Sequence, residues 1–143
     1  METKAMLKRG WLFPALVVAV NAAIILILWS SLQETLPAHF DLEGNAGGSI
    51  SRTTLIYYPL IGAVIGLTAY AIRCRVNKKY FNGGLLILTS GIELVILSST
   101  MVTLTRGTKP FFMLAEPVIL VIALTAFIRG LVKSGKHGLA LSH

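Results

Sequence analysis

Four long apolar runs constrain the fold of this chain more than any other feature of its sequence. They cover about residues 11–32, 53–72, 82–104 and 111–131. Because a helix needs about 20 apolar residues to cross a bilayer, each run is long enough for one span. Only 13% of the residues are charged, against about 25% in soluble domains. We therefore predict an all-α integral membrane protein, a four-helix transmembrane bundle that forms a single domain over residues 1–143.

The distribution of basic residues predicts how this bundle is oriented. Lys and Arg cluster before the first run, between the second and third runs, and at the end of the fourth run. The loop 33–52 and the turn 106–109 contain few of them. Cytoplasmic flanks of membrane helices are enriched in Lys and Arg, so we expect both termini in the cytoplasm and the loop 33–52 outside it. The role of these basic residues in orienting the helices explains the net charge of +7. The expected partner is therefore the lipid bilayer, not a nucleic acid.

The loop between the first two runs carries the most specific sequence of the chain. Its polar residues His39, Asp41 and Glu43 alternate with apolar ones, so an extended strand would place the three polar side chains on one face. We therefore expect a structured loop that is partly β. Its candidate binding residues are His39, Phe40, Asp41, Glu43 and Gly44.

This loop resembles the signature of the SdpI-like membrane proteins, which comprise bacterial immunity proteins against a sporulation-delaying toxin and many relatives of unknown function. The family pattern begins with a membrane helix, which is followed by a proline, a histidine with an aromatic residue directly after it, a polar residue and glycines. A basic residue and a second membrane helix come next. The residues that match it are Pro37, His39, Phe40, Asp41, Gly44, Gly47 or Gly48, and Arg52.

The resemblance covers about residues 11–72, roughly half of the chain. The chain departs from the family in having one proline before the histidine and an arginine at position 52, where lysine is usual. The immunity proteins themselves are longer. The resemblance implies a bacterial plasma-membrane protein that meets an extracellular peptide or toxin through the His39 loop.

The same loop offers a candidate metal site. Imidazole and carboxylate groups bind divalent metals such as zinc, so His39, Asp41 and Glu43 could act together as ligands. The alternative, which we favour, is a polar hairpin over the helices in which Asp41 caps the turn. The pattern H-x-D-x-E is less specific than a tight motif such as HExxH, and zinc therefore stays a candidate cofactor only.

Glu93 lies near the middle of the third run, where a charged residue costs about 2.5–3.5 kcal/mol on insertion scales. Such residues tend to face the bundle interior and to have a function. Two interpretations stay open: a proton or cation relay or catalytic acid, and a neutral hydrogen bond to another helix, with Asn21 as the candidate partner. Gly62 and Gly66 in the second run have a spacing that allows another helix to approach closely.

Glu116 is the second acid within an apolar run. Helix tilt could bring Glu116 and Glu93 to one water-filled cavity that opens toward the His39 loop. The alternative is that Glu116 pairs with Arg106 or Lys109 across the neighbouring turn, and we prefer this pairing.

Two classes of function follow from these residues. The first is a non-enzymatic binding or immunity-type module that acts at the outer surface through the His39 loop, and it is the one we favour. The second is a metal-dependent or proton-coupled transport or enzymatic activity that uses His39, Asp41, Glu93 and Glu116. Because four short helices rarely enclose a transport pathway alone, the second class also predicts a homo-oligomer.

Overall fold

The computed structural model describes residues 10–41, 45–76, 78–105 and 110–140, and within them omits the side chains of residues 39, 110, 112, 113 and 136–140. Four helices and a two-stranded hairpin form the described chain, with a short 3-10 segment on each side of the hairpin. In order they are α1 (Leu12–Leu28), a 3-10 turn (Trp29–Ser31), β1 (Thr35–Phe40), β2 (Ala46–Ser51), a 3-10 turn (Arg52–Ile56), α2 (Tyr57–Arg75), α3 (Lys79–Leu104) and α4 (Pro110–Ala140).

Each of the four helical segments is long and apolar enough to cross a membrane. The candidate spans are Leu12–Ser31, Arg52–Arg75, Lys79–Leu104 and Leu114–Gly135. The prediction of a mostly helical, multi-pass membrane protein is therefore confirmed. The helices also expose large apolar side chains, with Leu26, Ile27 and Leu67 each more than 70% exposed. Lipid is the solvent that accommodates such a surface without cost, since lipid tails are as apolar as leucine.

The fourth helix is longer than the apolar run that predicted it, because it continues from Pro110 to Ala140 instead of ending at position 131. Proline is favoured at the first position of a helix, where its missing N–H is not needed. Beyond position 131 the hydropathy falls, but Lys133 and its neighbours still tolerate a helix. Hydropathy marks the segment that fits in lipid, and the helix itself extends past it.

The third helix is central, since it packs against α1, α2 and, most extensively, α4. Small residues make the close approach of α3 and α4 possible. A Cβ atom at Gly91 would overlap the Ala123 side chain, and one at Gly130 would lie 2.7 Å from the Tyr80 carbonyl oxygen. This is the small-residue packing that membrane helices use where no hydrophobic effect holds them together.

The hairpin is antiparallel, with Thr35 opposite Ser51 and Phe40 opposite Ala46. It docks on one end of the helices through Leu36, which is 3% exposed and packs in a cluster with Ile25 and Leu55. An isolated two-stranded hairpin is marginally stable in water, so this apolar anchor stabilises it. A second cluster, around Trp11, Ala69 and Leu85, lies at the opposite end of the helices.

Candidate functional site

The turn of the hairpin is closed by Asp41 and Asn45. The Asp41 backbone N–H donates to the Asn45 carbonyl oxygen at 3.1 Å. In return, Asp41 Oδ1 accepts from the Asn45 backbone N–H at 2.8 Å, and Oδ2 accepts from Asn45 Nδ2 at 3.0 Å. Asp41 therefore acts here as a turn cap, as in the hairpin alternative to the metal site, and both of its carboxylate oxygens are engaged.

The other loop candidates are described only in part. His39 lies in β1 opposite Gly47, while its side chain, Glu43 and Gly44 lie outside what the structure describes. Among the described side chains, no group of three or more His, Cys, Asp or Glu could hold a metal ion. Because two of the three candidate ligands are outside that set, the zinc site stays an untested candidate.

Arg52 joins the base of the hairpin to the first helix. Its guanidinium carbon lies 5.3 Å from the centre of the Trp29 ring, a cation–π distance. Its Nη1 donates to the Leu32 carbonyl oxygen at 3.4 Å, and its backbone N–H donates to the Glu34 carbonyl oxygen at 2.9 Å. The sequence pattern included Arg52 but gave no role for it. The structure shows that Arg52 links both strand ends at the base of the hairpin to the segment that follows α1.

Glu93 faces the glycines of the second helix and is almost fully buried, at 1% exposure. A Cβ atom at Gly62 would overlap Glu93 Oε2, and one at Gly66 would lie 3.7 Å from Oε1. The carboxyl group thus fills the space that the missing side chain of Gly62 leaves. Oε1 has no hydrogen-bond partner in the described part of the chain.

Asn21 is the buried polar residue of the first helix, at 2% exposure. Its Oδ1 also lacks a hydrogen-bond partner among the described residues. The bond to Glu93 that the sequence suggested is not found among the hydrogen bonds of the described side chains. Asn21 comes three residues after Val18, whose Cγ2 would be 3.2 Å from a Cβ atom at Gly62. At about 1.5 Å of rise per residue, Asn21 therefore lies within about one helical turn of the level of Glu93.

An apolar groove of about 300 Å³ runs between α1 and α2 beside these groups. Gly62 and Gly66, whose missing side chains would approach Glu93, form part of its lining, whereas Glu93 and Asn21 do not line it. The other lining residues are Trp11, Pro14, Ala15, Val18, Ala63, Leu67 and Tyr70. Sequence reasoning missed this groove, although the glycine spacing and the buried acid were its two signals.

Glu116 lies on α4 and is hydrogen-bonded to a face of α3 that differs from the face carrying Glu93. Its Oε1 accepts a hydrogen bond from Ser99 Oγ at 2.9 Å. Ser99 follows Glu93 by six residues, which places the two about 120° apart around the helix and about 9 Å apart along it. The structure therefore does not bring Glu93 and Glu116 into one cavity. Arg106 and Lys109, the other proposed partners of Glu116, lie outside the described residues.

Cations at the helix end opposite the hairpin stack on aromatic rings. The Arg73 guanidinium carbon lies 5.6 Å from the centre of the Trp11 ring and 5.4 Å from that of Tyr70. Lys133 lies 5.8 Å from the centre of the Tyr80 ring. These contacts hold the basic side chains at the end of the bundle, away from the buried carboxyl.

Together these features define a multi-pass membrane protein of four apolar helices, with a clamped hairpin at one end and a buried carboxyl near the middle. No protein-family model, curated protein or solved structure matches the chain.

Proposed function

We propose that this chain is an SdpI-like binding module of the bacterial plasma membrane, and that its hairpin recognises an extracellular peptide, as an immunity-type protein does. The resemblance of residues 36–52 to the family signature supports this proposal. The excess of Lys and Arg at the other helix ends supports an outward-facing hairpin with both termini in the cytoplasm.

The observation that carries the proposal is the anchoring of the hairpin. Leu36 is buried in the cluster with Ile25 and Leu55, and Arg52 contacts both Trp29 and Leu32. A surface that is already ordered loses little conformational entropy when a partner binds, and this favours affinity. A loop that served only to connect two helices would need neither the anchor nor the clamp.

The hairpin edges suggest how a peptide would bind. The Arg52 backbone N–H donates to the Glu34 carbonyl oxygen. Alternation counted from this pair, at the base of the hairpin, directs the backbone groups of Pro37 and Ser49 outward. Proline has no N–H to donate, so the β1 edge is incomplete, whereas Ser49 is exposed on β2 and keeps its N–H. We expect an extended peptide to add to β2 as a third strand, a common mode of peptide recognition.

Growth under toxin challenge tests this function. The chain would be expressed in a bacterium sensitive to the sporulation-delaying toxin, alongside His39→Ala, Ser49→Pro and Ser49→Ala. We expect protection by the wild type and Ser49→Ala, and loss of protection in His39→Ala and Ser49→Pro at equal membrane abundance. Absence of protection by the wild type would contradict the immunity role, and full protection by both hairpin variants would contradict the role of the hairpin.

The buried oxygens of Glu93 and Asn21 favour a second candidate, a proton-coupled transport activity. A polar group buried without a partner is costly in a membrane and is retained where it has a function. A pathway through Glu93 would run between α1, α2 and α3 and would not include Glu116. Proton flux into liposomes that is lost in Glu93→Gln, together with a homo-oligomer in mild detergent, is the expected result. A strict monomer without flux would contradict it.

A further inference from the structure

We propose that the groove between α1 and α2 holds one acyl chain of an anionic phospholipid, and that the guanidinium group of Arg73 binds the phosphate of this lipid at the mouth of the groove. The lipid belongs to the leaflet at the helix end opposite the hairpin. The site is separate from the hairpin and from Glu93, and it does not depend on the roles proposed for them.

The groove extends through about one leaflet of a bilayer. Along α2 its lining runs from Tyr70, near the end of the helix, to Gly62, which is about 12 Å at about 1.5 Å of rise per residue. The hydrocarbon core is about 30 Å thick, so each leaflet contributes about 15 Å. The groove therefore matches the depth to which a lipid chain of this leaflet reaches.

The walls of the groove suit a hydrocarbon chain. Glycines and alanines leave the space, and Val18 and Leu67 are among the aliphatic residues that border it. The cleft exists because α1 and α2 contact each other less than either contacts α3. An unfilled cleft would forfeit dispersion contacts, and a volume of about 300 Å³ is at the small end of ligand sites. One chain of a lipid fits this groove, while its second chain stays in the bilayer.

Arg73 places a positive charge at the mouth of the groove. Its guanidinium lies over the rings of Trp11 and Tyr70, and both rings line the groove. Stacking engages the flat face of a guanidinium, whereas its N–H donors point outward from the edge. Two of these donors can bind two oxygens of one phosphate group. A lipid whose chain lies between α1 and α2 would therefore bring its phosphate to the edge of Arg73.

The charges around Arg73 favour an anionic head group. Arg75, Lys78 and Lys79 are exposed at the same end of the helices. The acids that the structure describes lie at the hairpin or within the spans, so none of them neutralises this end. Basic pockets between membrane helices bind phosphate-bearing head groups. A zwitterionic head group carries its own cation beside the phosphate, and we therefore expect a preference for anionic lipid.

Fluorescence of Trp11 tests this preference, because Trp11 lines the groove and the chain has only one other tryptophan, Trp29. The Trp29→Phe variant would be placed in phosphatidylcholine nanodiscs with increasing fractions of brominated phosphatidylglycerol or brominated phosphatidylcholine of identical chains. Bromine quenches a tryptophan that it contacts. We expect half-maximal quenching at a fraction of phosphatidylglycerol about fivefold lower than that of phosphatidylcholine. Identical curves would show that Trp11 meets bulk lipid only, and would overturn the proposal.

Two arginines distinguish a site from a general surface charge. In the Trp29→Phe background, Arg73→Gln removes the cation that is stacked on the lining of the groove, so we expect the preference for phosphatidylglycerol to disappear. Arg75→Gln is the matched control, since it removes the same charge from an exposed position two residues away, and it should keep the preference. Equal losses in both variants would assign the preference to the basic surface as a whole and would overturn binding at Arg73.

Two alanines of α1 test whether the chain lies in the groove. Ala15→Phe fills the groove from an exposed position, and we expect it to abolish the preferential quenching. Ala22→Phe is the control, because Ala22 lines a neighbouring groove toward the hairpin, and quenching should be unchanged. Parental quenching in Ala15→Phe would place the lipid outside the groove and overturn the proposal. This pair and the head-group comparison decide the question even if Arg73→Gln fails to fold.

Discussion

Gly62 of the second helix leaves the space that the carboxyl group of Glu93 on the third helix occupies. The contact joins the two least ordinary features of the apolar runs, a glycine pair and a mid-membrane acid. It also fixes where that acid faces, toward the glycines of α2. The face of α3 that meets α4 is formed by other residues, Gly91 and Ser99 among them.

The first prediction concerns this contact. Gly62→Ala places a methyl group against Glu93 Oε2 and 3.2 Å from Val18 Cγ2, so we expect it to lower the unfolding free energy by about 1–3 kcal/mol, the usual cost of overpacking. Gly66→Ala meets Oε1 at an ordinary 3.7 Å and should be nearly neutral. Thermal unfolding in detergent measures both. The double variant Gly62→Ala/Glu93→Ala should recover much of the loss, and strict additivity would contradict the direct contact.

The second prediction concerns the anchor of the hairpin. Leu36→Ala removes a side chain that is 3% exposed. We expect this change to lower the opening free energy of the hairpin amides, measured by hydrogen exchange, by about 2–5 kcal/mol. The helices should keep their protection. Leu26→Ala is the matched control, because Leu26 is 73% exposed and faces lipid. Unchanged hairpin protection in Leu36→Ala would show that this residue does not hold the hairpin.

The third prediction compares two glycines of the same helix. Gly91→Ala would overlap the Ala123 side chain, whereas a Cβ at Gly83 meets nothing within 4 Å. We expect Gly91→Ala to separate α3 from α4 and lower the melting temperature. Gly83→Ala should be neutral or stabilising by up to about 1 kcal/mol, since alanine favours a helix more than glycine does. Equal melting temperatures for the two variants would contradict the close packing of these helices.

The fourth prediction concerns metal. Both carboxylate oxygens of Asp41 are engaged by Asn45, so we expect the purified protein to contain far less than one zinc ion per chain. Elemental mass spectrometry measures this, with His39→Ala as the control. Stoichiometric zinc that is lost in His39→Ala would establish a ligand site in the loop and would favour metal-dependent chemistry.

The sequence predicted the four helices because runs of about 20 apolar residues have few alternatives in a membrane protein. It did not predict the end of α4, because hydropathy reports the lipid-facing length and Lys133 lies beyond it within the same helix. It also singled out Glu93 but suggested a bond to Asn21 that the described structure lacks. Side-chain pairing depends on helix rotation, and a single sequence constrains that rotation weakly.

The relation of Glu116 to Glu93 shows the same limit. Both acids lie in apolar runs, and distance along the helix axes alone made a shared cavity conceivable. The hydrogen bond from Ser99 instead places Glu116 on the α4 side of α3. The role of Arg52 was equally hidden, because its contact with Trp29 joins residues that are distant in the sequence.

The affinity of the nanodisc-embedded chain for the toxin peptide tests whether the hairpin is the recognition surface. Surface plasmon resonance would compare the wild type with His39→Ala/Phe40→Ala and with Glu93→Gln. We expect saturable binding by the wild type and Glu93→Gln, and at least tenfold weaker binding by the hairpin variant, a loss of about 1.4 kcal/mol or more. Wild-type affinity in the hairpin variant would show that the hairpin is not the recognition surface.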